Sequence, residues 1–198
     1  MAGETQEKKI VFGLSNVHYA IFNEQNSTYG TPVHIPGGVK LTMSREGNSN
    51  KFYADNGSYV VFETNDGYSG DLEMAYVPDS ALKALLNYIE DSHHMIVEDA
   101  DATPVRFALL YEVESNTNAE RFIFYDCVLS RPENEANTKT DSTEPDTQKL
   151  HITMSPHEFA WGENVTKRLV KGKVVNDTNG ATSYAAWFTS VIVPSPSV

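Results

Sequence analysis

This sequence predicts a mainly β (α+β) fold: a sandwich or partial barrel of packed sheets with one flanking α-helix and a long polar hairpin loop. Three observations carry the prediction. Short runs rich in β-branched and aromatic residues recur along the chain, separated by clusters of Gly, Asn, Asp and Pro. Several runs alternate apolar with polar residues, the period of a half-buried strand. Only one sizeable stretch repeats its apolar residues at helical spacing. With 198 residues, 40% of them apolar and 21% charged, the chain has the make-up of an ordinary globular protein, long enough for one substantial core. Residues 1–198 are therefore read as a single domain, with 1–8, the polar "MAGETQEK", as a flexible arm.

Taken in order, "KKIVFGLSNVHYAIF" supplies one or two strands. "GGVKLTMS" sets Val39, Leu41 and Met43 against Lys40, Thr42 and Ser44. "SYVVFET" follows the turn signal Asn56-Gly57, and "DLEMAYV" follows Asp66-Gly67 and Gly70, so that 63–76, "ETNDGYSGDLEMAY", reads as a hairpin tip. "PDSALKALLNYIED" offers Asp79 or Ser80 as N-cap and Leu82, Leu85, Leu86 and Ile89 as one stripe, predicting a helix over about 79–91. "VRFALLYEVE" and "RFIFYDCVLS" form an antiparallel hairpin across the polar turn "SNTNAE". The second of these strands is apolar on both faces, with Phe122, Phe124 and Val128 against Ile123, Tyr125 and Leu129, and so needs cover on both sides. "KLHITMS" is a further strand, and "ATSYAAWFTSV" a short second helix with Tyr184, Trp187 and Phe188 on one face. Between two good strands, 131–148 holds no aliphatic residue larger than Ala, which marks an extended loop. A faint echo relates "LTMSREGNSNKFYAD" (41–55) to "CVLSRPENEANTKTD" (127–141): two long-looped hairpins with pseudo-twofold character.

Catalytic chemistry finds little footing. Ser69 sits in "GYSGD", without the G-x-S-x-G spacing or the strand-to-helix context of a nucleophile elbow. Glu63, Asn65 and Gly67 are out of register for a calcium loop. His157-Glu158 lacks the second His of H-E-x-x-H, and His93-His94 read as neighbours at a helix end. Glu98, Asp99 and Asp101 in "VEDADATP" could do acid–base work or hold a divalent ion, but read first as a solvated acidic loop. No phosphate-cradling Gly motif occurs. The lone cysteine, Cys127, lies in an apolar run and reads as a buried, inert thiol. The expectation is a protein with no catalytic, metal or cofactor residues. No run of about 18 apolar residues is present and no apolar stretch follows the polar N-terminus, so neither membrane insertion nor a secretory signal is expected, and the chain is assigned to a cytosol. The net charge of −12 argues against a protein that wraps nucleic acid.

The phrases "FGLSNVHYA", "YGTPVHIPGGVKLTMSREGNSNKFYADNGSYVVFETNDGYSGDLEMAYVPD", "VEDADATPVRFALLYEVE", "FIFYDCVLSRP" and "STEPDTQKLHITMSP" occur in this order between about residues 9 and 156. Together they resemble the major tail protein (tail tube protein) family of long-tailed, non-contractile bacteriophages. The closing "YAAWFTSVIVP" is similar to the family's C-terminal Trp-Phe segment, residues 157–180 fit least well, and the immunoglobulin-like appendage of some members is not expected after "PSPSV".

The resemblance implies a tail-tube fold of two packed β-sheets with a flanking helix. It also implies hexameric rings that stack into the tube conducting DNA to the host cell. Expected partners are further copies of the chain and other tail proteins, such as the tape measure, terminator and baseplate proteins, with DNA only as transiting cargo. The expected location is the virion tail, and the host cytoplasm during assembly. The acidic balance suits a conduit, since carboxylates repel phosphate within a Debye length of roughly 8 Å. Candidate lumen-facing carboxylates are Asp71, Glu73, Glu63 and Asp66, with Glu46 and Asp55 behind them. Asp71, Glu73 and Ala75 share one face of their strand, while Leu72, Met74 and Tyr76 share the other. The 131–148 loop, with Arg131, Glu133, Glu135, Lys139, Asp141 and Glu144, is the candidate contact between rings, and 44–57 a second one. The alternative from another class is a β-sandwich module binding carbohydrate or a cell surface through exposed Tyr and Trp.

Overall fold

A computed structural model describes residues 9–133 and 146–196 of the chain, and statements of structure below concern these residues. Fifteen strands and two helices follow in order: β1 (Val11–Asn23), β2 (Thr28–Tyr29), β3 (Val33–His34), β4 (Gly38–Glu46), β5 (Ser49–Ala54), β6 (Gly57–Glu63), β7 (Gly67–Met74), α1 (Asp79–Leu86), β8 (Ile89–Glu90), β9 (Ile96–Val97), β10 (Phe107–Ser115), β11 (Glu120–Leu129), β12 (Gln148–Ser155), β13 (His157–Ala160), β14 (Thr166–Leu169), β15 (Lys171–Val175) and α2 (Ala181–Ala186). The fold is mainly β, as the alternation predicts.

One nine-stranded antiparallel sheet dominates, in the order β2-β1-β10-β11-β12-β7-β4, with β3 also on β1 and β15 also on β11. It curls until β4 lies beside β1 without a shared ladder, which makes it the partial barrel of the two expected shapes. At that seam Gly38 is closely packed: a Cβ there would lie 2.8 Å from Val17 Cγ2. The enclosed core gathers Val17 and Tyr19 of β1, Leu72 and Met74 of β7, Phe107, Leu109 and Tyr111 of β10, Phe124 of β11, and Leu150, Ile152 and Met154 of β12. Helix α1 turns Ala81, Leu85 and Leu86 into it.

A second, smaller core lies on the other face of β10 and β11, where Leu110, Ile123 and Tyr125 meet Phe159 of β13 and Trp187 beyond α2. The two-faced apolar strand is therefore covered on both sides by its own chain. The predicted face assignment changes past Tyr125. A bulge sets Phe107 opposite Cys127 and Leu109 opposite Phe124, which turns Cys127 and Leu129, not Val128, toward the main core with Phe124.

Three further expectations are corrected. Helix α1 stops at Leu86, not 91, because Asn87 takes the left-handed conformation (φ 56°), and Ile89 goes to the two-stranded β8–β9 ribbon. Its N-cap is Pro78, without a side-chain hydrogen bond, in place of Asp79 or Ser80. Residues 63–76 are no hairpin tip. β4 and β7 pair from Gly38↔Met74 to Glu46↔Gly67, and the ribbon continues as β5–β6, from Ser49↔Glu63 to Ala54↔Gly57. The tip is Asp55-Asn56, both at positive φ (51° and 62°), one residue before the Asn56-Gly57 signal. The stretch 63–67 is the joint of this ribbon, where Thr64 N–H donates to Asn48 O (2.9 Å) and Asp66 N–H to Glu46 O (3.0 Å).

Candidate functional site

Surfaces that could carry function include the polar face of β4–β7–β12, the β5–β6 arm, and two of the clefts among the described residues. On the polar face the strand period turns Asp71 and Glu73 outward while Leu72 and Met74 are buried. Tyr76 stays exposed because β7 ends at Met74. Register then decides their neighbours. Glu73 stands between Lys40 of β4 and Lys149 of β12, and Asp71 between Thr42 and His151. Asp71 Oδ1 lies 2.8 Å from His151 Nδ1, and Glu73 accepts from Thr147 Oγ1. Ser69 Oγ donates to the Glu46 carboxylate, so this serine is an outward strand residue bonded to an acid rather than a base-activated nucleophile. Two lysines and a histidine thus interleave with Glu46, Asp71 and Glu73, and the face is polar with mixed sign. β7 alone looks acidic because sequence does not reveal cross-strand neighbours.

Glu63 and Asp66 sit elsewhere, at the ribbon joint. Glu63 pairs with Arg45 at 3.6 Å with both side chains exposed, and Asp66 Oδ2 accepts from Thr64 Oγ1 at 3.1 Å. The four candidate carboxylates therefore form two separate pairs.

Beyond the joint, β5–β6 has no other strand or helix paired with it. Its register sets Phe52 opposite Val60 and Asn50 opposite Phe62, so Phe52, Val60 and Phe62 line one face. All three are exposed, Phe52 by 57% and Phe62 by 61%, and Tyr53, Tyr59 and Val61 are exposed as well. The expected loop at 44–57 is thus half of an apolar arm. Its signal in the sequence was the unbroken run Tyr59–Phe62, apolar on both faces beside a strand too polar to cover it.

The 131–148 connection leaves the sheet at the opposite end. Along β11 and β7, which run the same way, Leu129 and Met74 mark the end at which β12 begins, whereas Gly67, where the arm attaches, lies at the other. The root of this connection is anchored. Arg131 Nε meets Glu98 Oε1 at 2.8 Å, and Nη2 donates to the carbonyls of Asp99 and Ala100, each at 2.9 Å. Glu133 is exposed, while Glu135, Lys139, Asp141 and Glu144 lie outside the described residues.

The acidic cluster resolves into local roles. Glu98 binds Arg131 and accepts from Tyr88 OH (3.1 Å), and Asp99 accepts from the Asp101 N–H (2.9 Å). His93 and His94 are not at the helix end, which lies at Leu86. They turn between β8 and β9, with Nδ1 of each near Asp91 (3.1 Å) and Glu90 (2.9 Å). Among the described residues no three His, Cys, Asp or Glu side chains form a metal-binding group. Cys127 is fully buried, and burial raises its thiol pKa.

The larger cleft is lined by Phe22, Glu24, Tyr29, Arg106, His157 and Glu158 among others. Arg106 grips Asp126 with Nε (2.8 Å) and Nη2, and its Nη2 lies 3.5 Å from His157 Nδ1. Burial lowers the pKa of His157, with Asp126 opposing that and Arg106 adding to it. Of its aromatic walls, Phe22 and Phe159 are buried, while Tyr29 and His157 are half-buried. The smaller cleft, about 230 Å³, lies at the root of the 131–148 connection between Val77, Leu82, Tyr88, Ile96, Pro132 and Leu150. No helix among the described residues is long and apolar enough to cross a membrane. Comparison with known protein families and with curated proteins gave no match for this chain.

Proposed function

We propose that this chain is a structural virion protein that polymerises as stacked hexameric rings into the tail tube of a long-tailed phage, through which DNA passes to the host cell. One observation carries the reading: the β5–β6 arm holds an apolar face in solvent at the end of the sheet opposite the 131–148 connection. Such a face calls for a partner, and removing Phe52, Val60 and Phe62 from water is worth about 1.5–3 kcal/mol per fully buried side chain. With the arm at one end of the sheet and the root of the 131–148 connection at the other, identical copies can join head to tail, an arrangement that continues into a stack.

Two further features support the proposal. Strand β4 forms no ladder on the edge away from β7, and beyond the Gly38 seam with β1 that edge is the one proposed to pair with a neighbour in the same ring. The polar β4–β7–β12 face is the surface proposed to line the channel. Its charges alternate across strands, with Lys40 and Lys149 in register beside Glu73 and His151 beside Asp71, so it presents phosphate with no concentrated positive field. The tape measure, terminator and baseplate proteins are the proposed partners at the tube's interior and ends, and the reading assigns the chain no reaction.

Negative-stain electron microscopy of the purified protein at rising concentration tests this. Rings or tubes with a central channel are expected. Monomers at all concentrations, in the presence of the tail's other proteins, would sink the proposal.

A further inference from the structure

The geometry points to the contact that joins one ring to the next: the Phe52–Val60–Phe62 face of one copy's arm fills the Val77–Leu82–Tyr88–Ile96 cleft of another. This rests on the tube reading and names the surface at which it acts.

The cleft is floored by buried Val77 and Leu150, while Leu82, Tyr88 and Ile96 are half-exposed around it. The chain nearest to it is the 131–148 connection, whose ends supply Pro132 and Gln148 to the lining. That segment is an unsuitable filling. Residues 134–145, "NEANTKTDSTEP", contain no aliphatic side chain larger than Ala apart from the proline ring, and a polar group placed against Val77 and Leu82 would lose its water without a partner. An apolar group suits this lining better.

The arm is the matching group by placement. It leaves the Gly67 end of the sheet, and the cleft lies by Val77 and Leu150, at the Met74 end. A copy displaced along the strand direction brings the two together, whereas within one chain they are at opposite ends. Exposed Ile10, Val11 and Phe12 are a weaker acceptor. Val11 pairs with Ser115 near the start of β11, which puts them at the arm's own end. The larger cleft is also weaker, since an unaccompanied phenyl ring there would desolvate the Arg106–Asp126 pair. Rigid aromatic rings on a ribbon anchored by its own ladder lose little entropy on docking.

Cysteine cross-linking between tagged copies tests the contact. One copy carries Phe62→Cys and the other, with a different tag, Ile96→Cys, and a short bis-maleimide is added under conditions where the wild type assembles. Native Cys127 is fully buried and does not compete. Phe62 is 61% exposed, so its replacement leaves the fold intact, and Phe52→Cys, at a site 57% exposed, is a second arm position. The expected result is the mixed product, at least tenfold over either variant cross-linked to itself. Assembly without the mixed product, or with Phe62→Cys joined mainly to itself, overturns this contact and leaves the tube reading standing. Failure of the wild type to assemble at all overturns both.

Discussion

Gly67 shows how a single residue fixes the candidate surfaces. It sits where the arm joins the sheet, at φ +121°, and a Cβ there would lie 2.0 Å from the Met154 carbonyl oxygen. Both the conformation and the space exclude a side chain. Gly67→Ala is expected to cost about 1–3 kcal/mol, read as a lower urea midpoint, with the loss concentrated at the β7–β12 pairing. An unchanged midpoint would mean that the joint relaxes freely. The sequence marks Asp66-Gly67 as a turn signal, and the residue is indeed special, but its reason is the close approach of β12. That approach involves a residue 87 positions away along the chain (154 − 67), which no local pattern can reveal.

At the scale of elements, the outer cover of β10–β11 hangs on a few side chains. His18 of β1 stacks on Phe188 at 4.2 Å between ring centres and touches His34 of β3 at 4.8 Å, with its Nδ1 2.7 Å from Asn16 O. Arg121 of β11 lies over Tyr184 of α2 at 3.7 Å and pairs with Glu112 of β10. On the other side His157 starts β13 against Phe22, Phe159 and Arg106. Burial lowers the pKa of both His18 and His157 from the ordinary value of 6.5, and prevails over the raising effects of the Asn16 carbonyl at His18 and of Asp126 at His157. A lowered histidine pKa means that the unfolded chain binds more protons. Stability from these groups is therefore complete above pH 6.5 and is lost as pH falls from there toward the folded values. Urea midpoints should be flat between pH 7 and 8 and fall between about 6.5 and 5, before carboxylates titrate. The double variant His18→Gln, His157→Gln should flatten that fall. An equal fall in the variant would assign it to other groups.

At the scale of the whole molecule, the neighbouring strands β11-β12-β7-β4 alternate in direction so that a twofold axis normal to the sheet, between β12 and β7, maps β4 onto β11 and β7 onto β12. This is the relation that the echo between 41–55 and 127–141 anticipates. It is also why the arm and the 131–148 connection leave from opposite ends, since a twofold reverses the strand direction. Three of these strands, β12, β7 and β4, present the polar face. If that face lines a channel, replacing Asp71 and Glu73 by Lys turns a mixed surface basic, and genome release from virions carrying the variant tubes should slow several-fold. Unchanged release from tubes that assemble normally would place the two residues outside the channel.

The sequence by itself determined the fold class, the order of the main strands, the β10–β11 hairpin, the existence of both helices and the burial of Cys127. Each of these follows from local periodicity, because alternation and helical spacing are written in consecutive residues. What only the tertiary structure decided has one physical cause: interactions between residues far apart in the chain. Pairing register placed Lys40, Lys149 and His151 around Asp71 and Glu73, a bulge exchanged Val128 for Cys127 and Leu129 at the core, and Asn87 ended a helix whose apolar stripe runs on to Ile89. Curling of the sheet covered one face of β11, and Phe159 of β13 with Trp187 covered the other, but β5–β6 was left bare. That uncovered ribbon, which the sequence showed only as a strand and a polar loop, is the feature on which the proposed assembly turns.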